Sequence, residues 1–328
     1  MKTIYVKTTN KCNLKCKHCY NAECSEVGLE NATMSNEVFN GIMAHHILNT
    51  DTPANIILHG GEPMLWLKEN HDNYKSVMLT LGYILENRVK HEMSITTNLV
   101  YLLDLDILTL FKKMSEQRML PAITTSWDYD IRFDKNKETL WKTNVEFLVR
   151  NGVPVRVTVT VTQKLLELEP QVIFDMCKEL GVWCVNFERL TVNGRAKENT
   201  YLIPKNRDVD NWLYKAYKYV KEHGYFVVPL FECLEASKAG ILTGCRARQC
   251  TQNVITYNPD ASIASCPNIS NILIDTEEFK DTCCKEKVRN NECYTCEYFK
   301  VCNGDCFQLA WDDTGCAGLK GILGEICS

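Results

Sequence analysis

The sequence predicts an α/β chain: a partial, TIM-like (β/α)6 barrel over residues 1–225, followed by a small cysteine-rich module over residues 226–328. Three observations lead there. Up to about residue 225, short β-rich runs alternate six times with amphipathic stretches, the pattern of βα units around a parallel sheet. One of those runs pairs valines on one face with Arg156, Thr158, Thr160 and Thr162 on the other, whereas a strand buried on both faces is normally apolar throughout. After about residue 230 the pattern gives way to short segments, turn residues and cysteines, too little apolar material for an independent core, so a metal is expected to hold this part together.

In chain order, the strand candidates are KTIYVKT from Lys2, NIILHG (55–60), HEMSITT (91–97), AITTSW (122–127), VPVRVTVTV (153–161) and WCVNFERL (183–190). Helices are expected near 35–49, 66–87, 103–116, 137–151, 170–180 and 206–223. Six units are too few for an eight-unit barrel, so an open partial barrel is expected in preference to a flat doubly wound sheet. Local pattern does not separate the two, but the polar face of the fifth strand favours a lumen that holds a polar ligand. Threonine's β propensity alone would place the same residues there.

Lysine and arginine number 37 against 41 acidic residues, a formal charge of −4, with no basic block to track a phosphate backbone. No nucleic acid partner is expected. No apolar run approaches the roughly 18 residues of a membrane span, and the start MKTIYVKTTNKC lacks a secretory apolar region, so no membrane partner is expected and the cytoplasm is the expected compartment. In that reducing setting the 18 cysteines read as metal ligands rather than disulfides. Four lie between residues 12 and 24, three at 177, 184 and 233, and eleven between 245 and 327, which places a metal site at each end of the chain.

The first cluster is KCNLKCKHCY, in which Cys12, Cys16 and Cys19 follow the first strand with C-x3-C-x2-C spacing. A zinc site or an ordinary electron-transfer cluster takes four protein ligands, and Cys24 is the nearest candidate for a fourth. Three thiolates on one tight loop leave one metal position for something else. This loop, with the aromatic Tyr20 after its last cysteine, resembles the cluster loop of radical S-adenosylmethionine enzymes. The resemblance covers residues 1 to about 225. It implies a 4Fe-4S cluster whose fourth iron is chelated by the amino and carboxylate groups of S-adenosylmethionine, and reductive cleavage to a hydrogen-abstracting 5′-deoxyadenosyl radical. Gly60-Gly61-Glu62-Pro63 after the second strand matches the family's GGEP motif, which implies that it holds the cofactor's amino group. Thr97-Asn98 resembles the family's TNG with Leu99 in place of glycine, and Ser126-Trp127-Asp128 resembles its S-x-D segment. Tyr20, Asn98, Ser126, Asp128 and Thr158 are accordingly candidate cofactor contacts, all at the C-terminal ends of strands or on the lumen face.

The second cluster reads Cys293-x2-Cys296-x5-Cys302-x3-Cys306, with Cys245, Cys250 and Cys266 upstream and an Asn258-Pro259-Asp260 turn before the last. It resembles the SPASM extension of radical S-adenosylmethionine enzymes, with Ala261 where the family motif has glycine. The resemblance implies two auxiliary 4Fe-4S clusters, hence three in all: one on Cys245, Cys250, Cys266 and Cys306, the other on Cys293, Cys296, Cys302 and a later cysteine. Cys316 is favoured over Cys327, which lies one residue from a terminus expected to fray. Of the remaining cysteines, Cys177 and Cys184 read as small buried hydrophobes, and Cys233, Cys283 and Cys284 have no assigned role. The histidines at 45, 46, 59, 71, 91 and 223 show no metal spacing and read as structural.

Enzymes with this extension usually act on peptides or proteins, which implies a crosslink, epimerisation or oxidation of a peptide substrate and an external flavodoxin- or ferredoxin-type electron donor. Many such maturases carry a peptide-recognition domain of about 80 residues. Here the first strand begins at residue 2, so either a separate peptide-presenting protein, recognition at the barrel mouth or a small-molecule substrate is expected. A non-catalytic iron–sulfur carrier or scaffold would explain the tail, but not the three-cysteine loop joined to GGEP.

Overall fold

The computed structural model describes residues 2–48, 50, 52–86, 91–117, 120–227, 248 and 250–327. Seven strands, β1 (Lys2–Thr9), β2 (Ala54–Gly60), β3 (Glu92–Thr96), β4 (Ile123–Ser126), β5 (Val155–Val161), β6 (Cys184–Arg189) and β7 (Phe226–Val227), pair in parallel in strict sequence order. A doubly wound sheet reverses its strand order at a switch point. This one does not, so right-handed crossovers place every connecting helix on one face and leave the other as a lumen. The chain is therefore a partial (β/α) barrel.

The strands show the two faces directly. In β5 the valines at 155, 157, 159 and 161 are at most 1% exposed, while Arg156, Thr158 and Thr160 alternate with them on the more accessible lumen face. Register carries that polar face across the sheet: Lys7 pairs with His59, Thr124 with Arg156, Ser126 with Thr158, Thr158 with Asn186, and Thr160 with Glu188. Outside are α1 (Asn36–Met43), α2 (Pro63–Glu69), α3 (His71–Glu86), α4 (Leu105–Ser115), α5 (Lys135–Arg150), α6 (Pro170–Glu179) and α7 (Asn206–His223). Several start on side-chain caps, with Ser35, Asp104 and Asp134 accepting from the backbone N–H of Val38, Ile107 and Lys137. The helix expected over 66–87 is two helices, because Asn70 is extended (φ −143°, ψ 130°) and its side chain accepts from Asp72 N, restarting the helix. The helix expected over 35–49 ends its α part at Met43 and finishes in a π turn, Ala44–Leu48.

The tail is less separate than its composition implies. Strand β8 (Val254–Tyr257) pairs in parallel with β1 on the side away from β2, and turns back into β9 (Ile263–Ala264), so among the described residues the sheet has nine strands rather than six. The sequence reading missed these short strands because each has too few residues for a period to show. Helix α8 (Glu277–Lys287) follows, and α9 (Lys320–Cys327) closes the chain. The start of the latter is packed on the barrel: Leu319, Ile322 and Leu323 are at most 1% exposed, and Gly321 N donates to the Asp210 carboxylate on α7. Cys177 on α6 and Cys184 on β6 are fully buried, with burial pushing the Cys177 thiol up to about 12.

Candidate functional site

Cys12, Cys16 and Cys19 lie on the connection that leaves β1 at its C-terminal end, and four other segments hold that connection. The end of β2 presses on it most closely. Gly61 N donates to Thr9 O (2.7 Å) and Glu62 N to Lys11 O (2.9 Å). A Cβ at Gly60 would lie 2.1 Å from Thr9 O and one at Gly61 2.3 Å from Lys11 O, so both glycines are required by backbone contact immediately ahead of Cys12. From the end of β3, Asn98 Nδ2 donates to Asn13 Oδ1 (2.6 Å) and stands 3.8 Å from Cys12 Sγ, while Asn13 Nδ2 donates to Val100 O. From the end of β4, Asp128 Oδ2 meets His18 Nε2 at 3.2 Å. After β6, Arg195 N donates to Cys19 O, Arg195 Nη1 to Cys16 O and Asn199 Nδ2 to Lys17 O. Sequence reasoning missed Asn13, His18, Arg195 and Asn199, since their partners are 85 or more residues away and no spacing marks them.

Glu62 caps α2 and has no exposed surface, and Pro63 opens that helix. Its carboxylate accepts from Met64 N (3.0 Å), Thr97 Oγ1 (2.7 Å) and Asn98 N (2.7 Å). Burial nevertheless outweighs these bonds and pushes its pKa up to about 7. The carboxylate is oriented but, among the described residues, has no ion-pair partner, with Arg132 a lesser and more distant influence. Asp128 is the reverse case. Burial alone would raise its pKa, but Arg132 and then His18 outweigh it and hold the carboxyl well below the usual range. Its other oxygen accepts from Thr160 N (2.7 Å), so Asp128 orients the loop through His18 and keeps Arg132 beside Cys16.

Ser126, Thr158 and Asn186 form a row across β4, β5 and β6 on the lumen face. Asn186 Nδ2 donates to Glu188 Oε1 (2.7 Å) and reaches Thr158 Oγ1 at 3.5 Å, but its buried Oδ1 has no hydrogen-bond partner. Arg156 donates to Thr124 Oγ1. Tyr20 faces His59 across the lumen at 2.9 Å. Because Gly60 N donates to His59 Nδ1, the ring proton is on Nε2 and the Tyr20 oxygen accepts it. Burial, reinforced by Lys7, lowers the His59 pKa to about 3, so this ring stays neutral.

In the tail, Cys250, Cys266 and Cys306 lie close enough to influence one another. Burial first, and their mutual repulsion among lesser causes, push Cys250 and Cys306 up to about 12. Cys245 lies outside the described residues, as does Cys233. A separate cavity of about 390 Å³ is lined by Cys293, Cys296, Cys302 and Cys316. Gly318 closes it, since a Cβ there would stand 3.2 Å from Cys302 Sγ and 3.7 Å from Cys316 Sγ. Cys327 is exposed and does not line this cavity. Cys283 and Cys284 are on α8, and Cys24, 1% exposed, points at Ser270 rather than at the loop thiols.

Thiol-only donor sets of three, three and four suit iron–sulfur clusters. Among the described residues no three His, Cys, Asp or Glu side chains converge on a single-ion site, and a four-iron cube does not ask them to, because each thiolate binds a different iron. A polar lumen with an unpartnered Asn186 Oδ1 and an unpaired buried Glu62 suits a polar cofactor beside the loop.

Residues 3–140 match the family described as a 4Fe-4S single cluster domain. No curated protein matches the chain by sequence. Among solved structures, an anaerobic sulfatase-maturating enzyme, anSMEcpe with bound S-adenosylmethionine, superimposes with a TM-score of 0.76 at 17% identity, over 99% of this chain and 95% of that one. The same enzyme with S-adenosylmethionine and the Cp18Cys peptide gives 0.74 at 16% identity, over 99% and 95%. Streptococcus suis SuiB bound to its precursor peptide SuiA gives 0.59 at 15% identity, over 93% and 72%. The likeness is one of fold.

Proposed function

We propose that this chain is a radical S-adenosylmethionine enzyme that modifies a peptide or protein by abstracting hydrogen from a side chain or α-carbon. The observation that carries the reading is the juxtaposition of a three-cysteine loop with Glu62, a buried carboxylate held by three donors and, among the described residues, in no ion pair. Cys12, Cys16 and Cys19 would hold a 4Fe-4S cluster, and Glu62, with the backbone of Gly60 and Gly61, would take the ammonium of S-adenosylmethionine. When reduced and bound, this pair supplies a 5′-deoxyadenosyl radical. The chain's own work is placement. Asn98 and Asn13 fix the approach to Cys12, Asp128 fixes His18, and the row of Ser126, Thr158 and Asn186 offers hydroxyl and amide groups to the rest of the cofactor. Pro63 and Tyr20 complete the candidate contacts.

Residues 226–328 would form an auxiliary unit with two further 4Fe-4S clusters, one on Cys245, Cys250, Cys266 and Cys306, the other on Cys293, Cys296, Cys302 and Cys316. Peptide complexes of two structural neighbours support a peptide substrate over a small molecule. An external flavodoxin- or ferredoxin-type donor would supply electrons, and the peptide would be recognised at the barrel mouth or presented by a separate protein. The test is anaerobic reconstitution, reduction and addition of S-adenosylmethionine. Release of 5′-deoxyadenosine is expected. Its absence from protein loaded with iron would leave an iron–sulfur carrier as the better account.

A further inference from the structure

Among the described residues, Lys7 is the largest charged side chain with no exposed surface. It occupies the lumen face of β1 with no exposed surface, and its ammonium donates to Asn21 Oδ1 (2.8 Å), Pro267 O (3.0 Å) and Ser270 Oγ (2.5 Å). An ammonium has three donors, which these acceptors match in number, and Cys24 Sγ stands beside them at 4.0 Å. Every one of the three is neutral, an unusual environment for a buried cation, which normally faces a carboxylate. Two of the acceptors belong to the turn after Cys266 and the third to the 3-10 helix after Cys19. Burial lowers the pKa of this ammonium, opposed by Cys24, Cys19 and Glu23 on the barrel side and by Cys266 on the tail side. Buried Lys7 therefore stands where the loop site and the Cys250–Cys266–Cys306 site face each other.

We infer that Lys7 is a positioning residue whose buried charge serves both neighbouring iron–sulfur sites: it docks the Cys266 turn on the barrel and biases both clusters toward their reduced state. The inference rests on the cluster assignment proposed above. Each reduction adds an electron to an anionic site, and a fixed cation in a low-dielectric interior favours the more negative form. It also offsets repulsion between two anionic clusters that share one interior. The Cys293–Cys296–Cys302–Cys316 cavity has none of its lining residues among the partners of Lys7, so it is a built-in reference.

The test is redox titration of the reconstituted protein followed by electron paramagnetic resonance, comparing wild type with Lys7→Met, Lys7→Gln and Ser270→Ala. In both charge-removing variants the loop cluster and the Cys266-side cluster are expected to titrate at more negative potential, with the Cys293-side cluster unmoved. Ser270→Ala, which removes an acceptor and keeps the charge, is expected to leave all three potentials unchanged. Unshifted potentials in an iron-loaded Lys7→Met protein, or an equal shift of all three clusters, would overturn the inference. Should neither neutral variant load iron at the Cys266 side, Lys7→Arg decides: restored loading supports the charge and continued loss overturns it. Failure of the underlying reading looks different, because wild-type protein would then lack three titrating clusters altogether.

Discussion

At the scale of single residues, the account turns on charges whose partners are known or conspicuously missing. Glu62→Gln is expected to weaken S-adenosylmethionine binding roughly ten- to a hundredfold, the worth of a hydrogen bond between charged groups of about 1.5–3 kcal/mol, while the iron content stays unchanged. Glu62 must be ionised to pair with an ammonium, and its pKa without one is about 7. Acid therefore neutralises it. Between pH 7.5 and 6 the wild-type affinity should fall roughly tenfold, following the ionised fraction, and the Gln variant should show no such slope. Isothermal titration across that window measures both. Asp128→Asn is expected to destabilise the fold by about 3–5 kcal/mol, because it leaves the Arg132 guanidinium buried without its counter-charge. Urea unfolding reads this directly. Of these residues, Glu62 and Asp128 were readable from motifs, whereas Arg132, His18 and Lys7 were not, since what defines them is the neighbour and not the spacing.

At the scale of elements, two non-glycine residues that stand where the resembled motifs have glycine fall where the backbone demands positive φ. Ala261, in the turn between β8 and β9, has φ 70°, and Leu99, after β3, has φ 53°. The sequence shows the substitution but not its cost, which depends on the dihedral angle. Ala261→Gly should stabilise the hairpin by about 1 kcal/mol by relieving that strain. Leu99→Gly should do the opposite. Its side chain has no exposed surface, so roughly 2–5 kcal/mol of lost packing exceeds the 1–2 kcal/mol of relief. Chemical denaturation of both variants checks the difference in sign. The segment from Cys302 to Cys306 shows a related dependence: Asn303, Gly304 and Asp305 are all left-handed, and Arg248 donates to the carbonyls of Val288, Gly304 and Asp305. A lysine cannot reproduce that fork, so Arg248→Lys should cost about 2–3 kcal/mol and raise protease sensitivity near the C-terminus. The six main strands were readable from β-rich runs and the lumen face from the alternation in β5. The break at Asn70 and strands β8 and β9 were not, because a capping turn or a two-residue strand leaves no periodic signal.

At the scale of the whole molecule, a barrel with strands in sequence order opens one polar lumen, and a tail that adds strands to the same sheet brings the turn after Cys266 against Lys7 on that lumen face. Reconstituted protein should carry about twelve irons, three clusters of four, and replacing Cys12, Cys16 and Cys19 together with alanine should remove about four of them. The loop was readable because its three thiols lie within eight residues, and the tail because its spacing is regular; which tail thiols share a cavity depended on where α9 and Gly318 fall. The claim beneath all of this is that the loop leaves one iron open for S-adenosylmethionine beside Glu62. Electron paramagnetic resonance of the reduced protein, recorded with and without S-adenosylmethionine, measures that open position. The account predicts that the cofactor alters the signal of one cluster only, that this response vanishes in the triple-alanine variant, and that Glu62→Gln shifts it to higher cofactor concentration. A spectrum indifferent to the cofactor, or a response that survives loss of all three loop thiols, would contradict it.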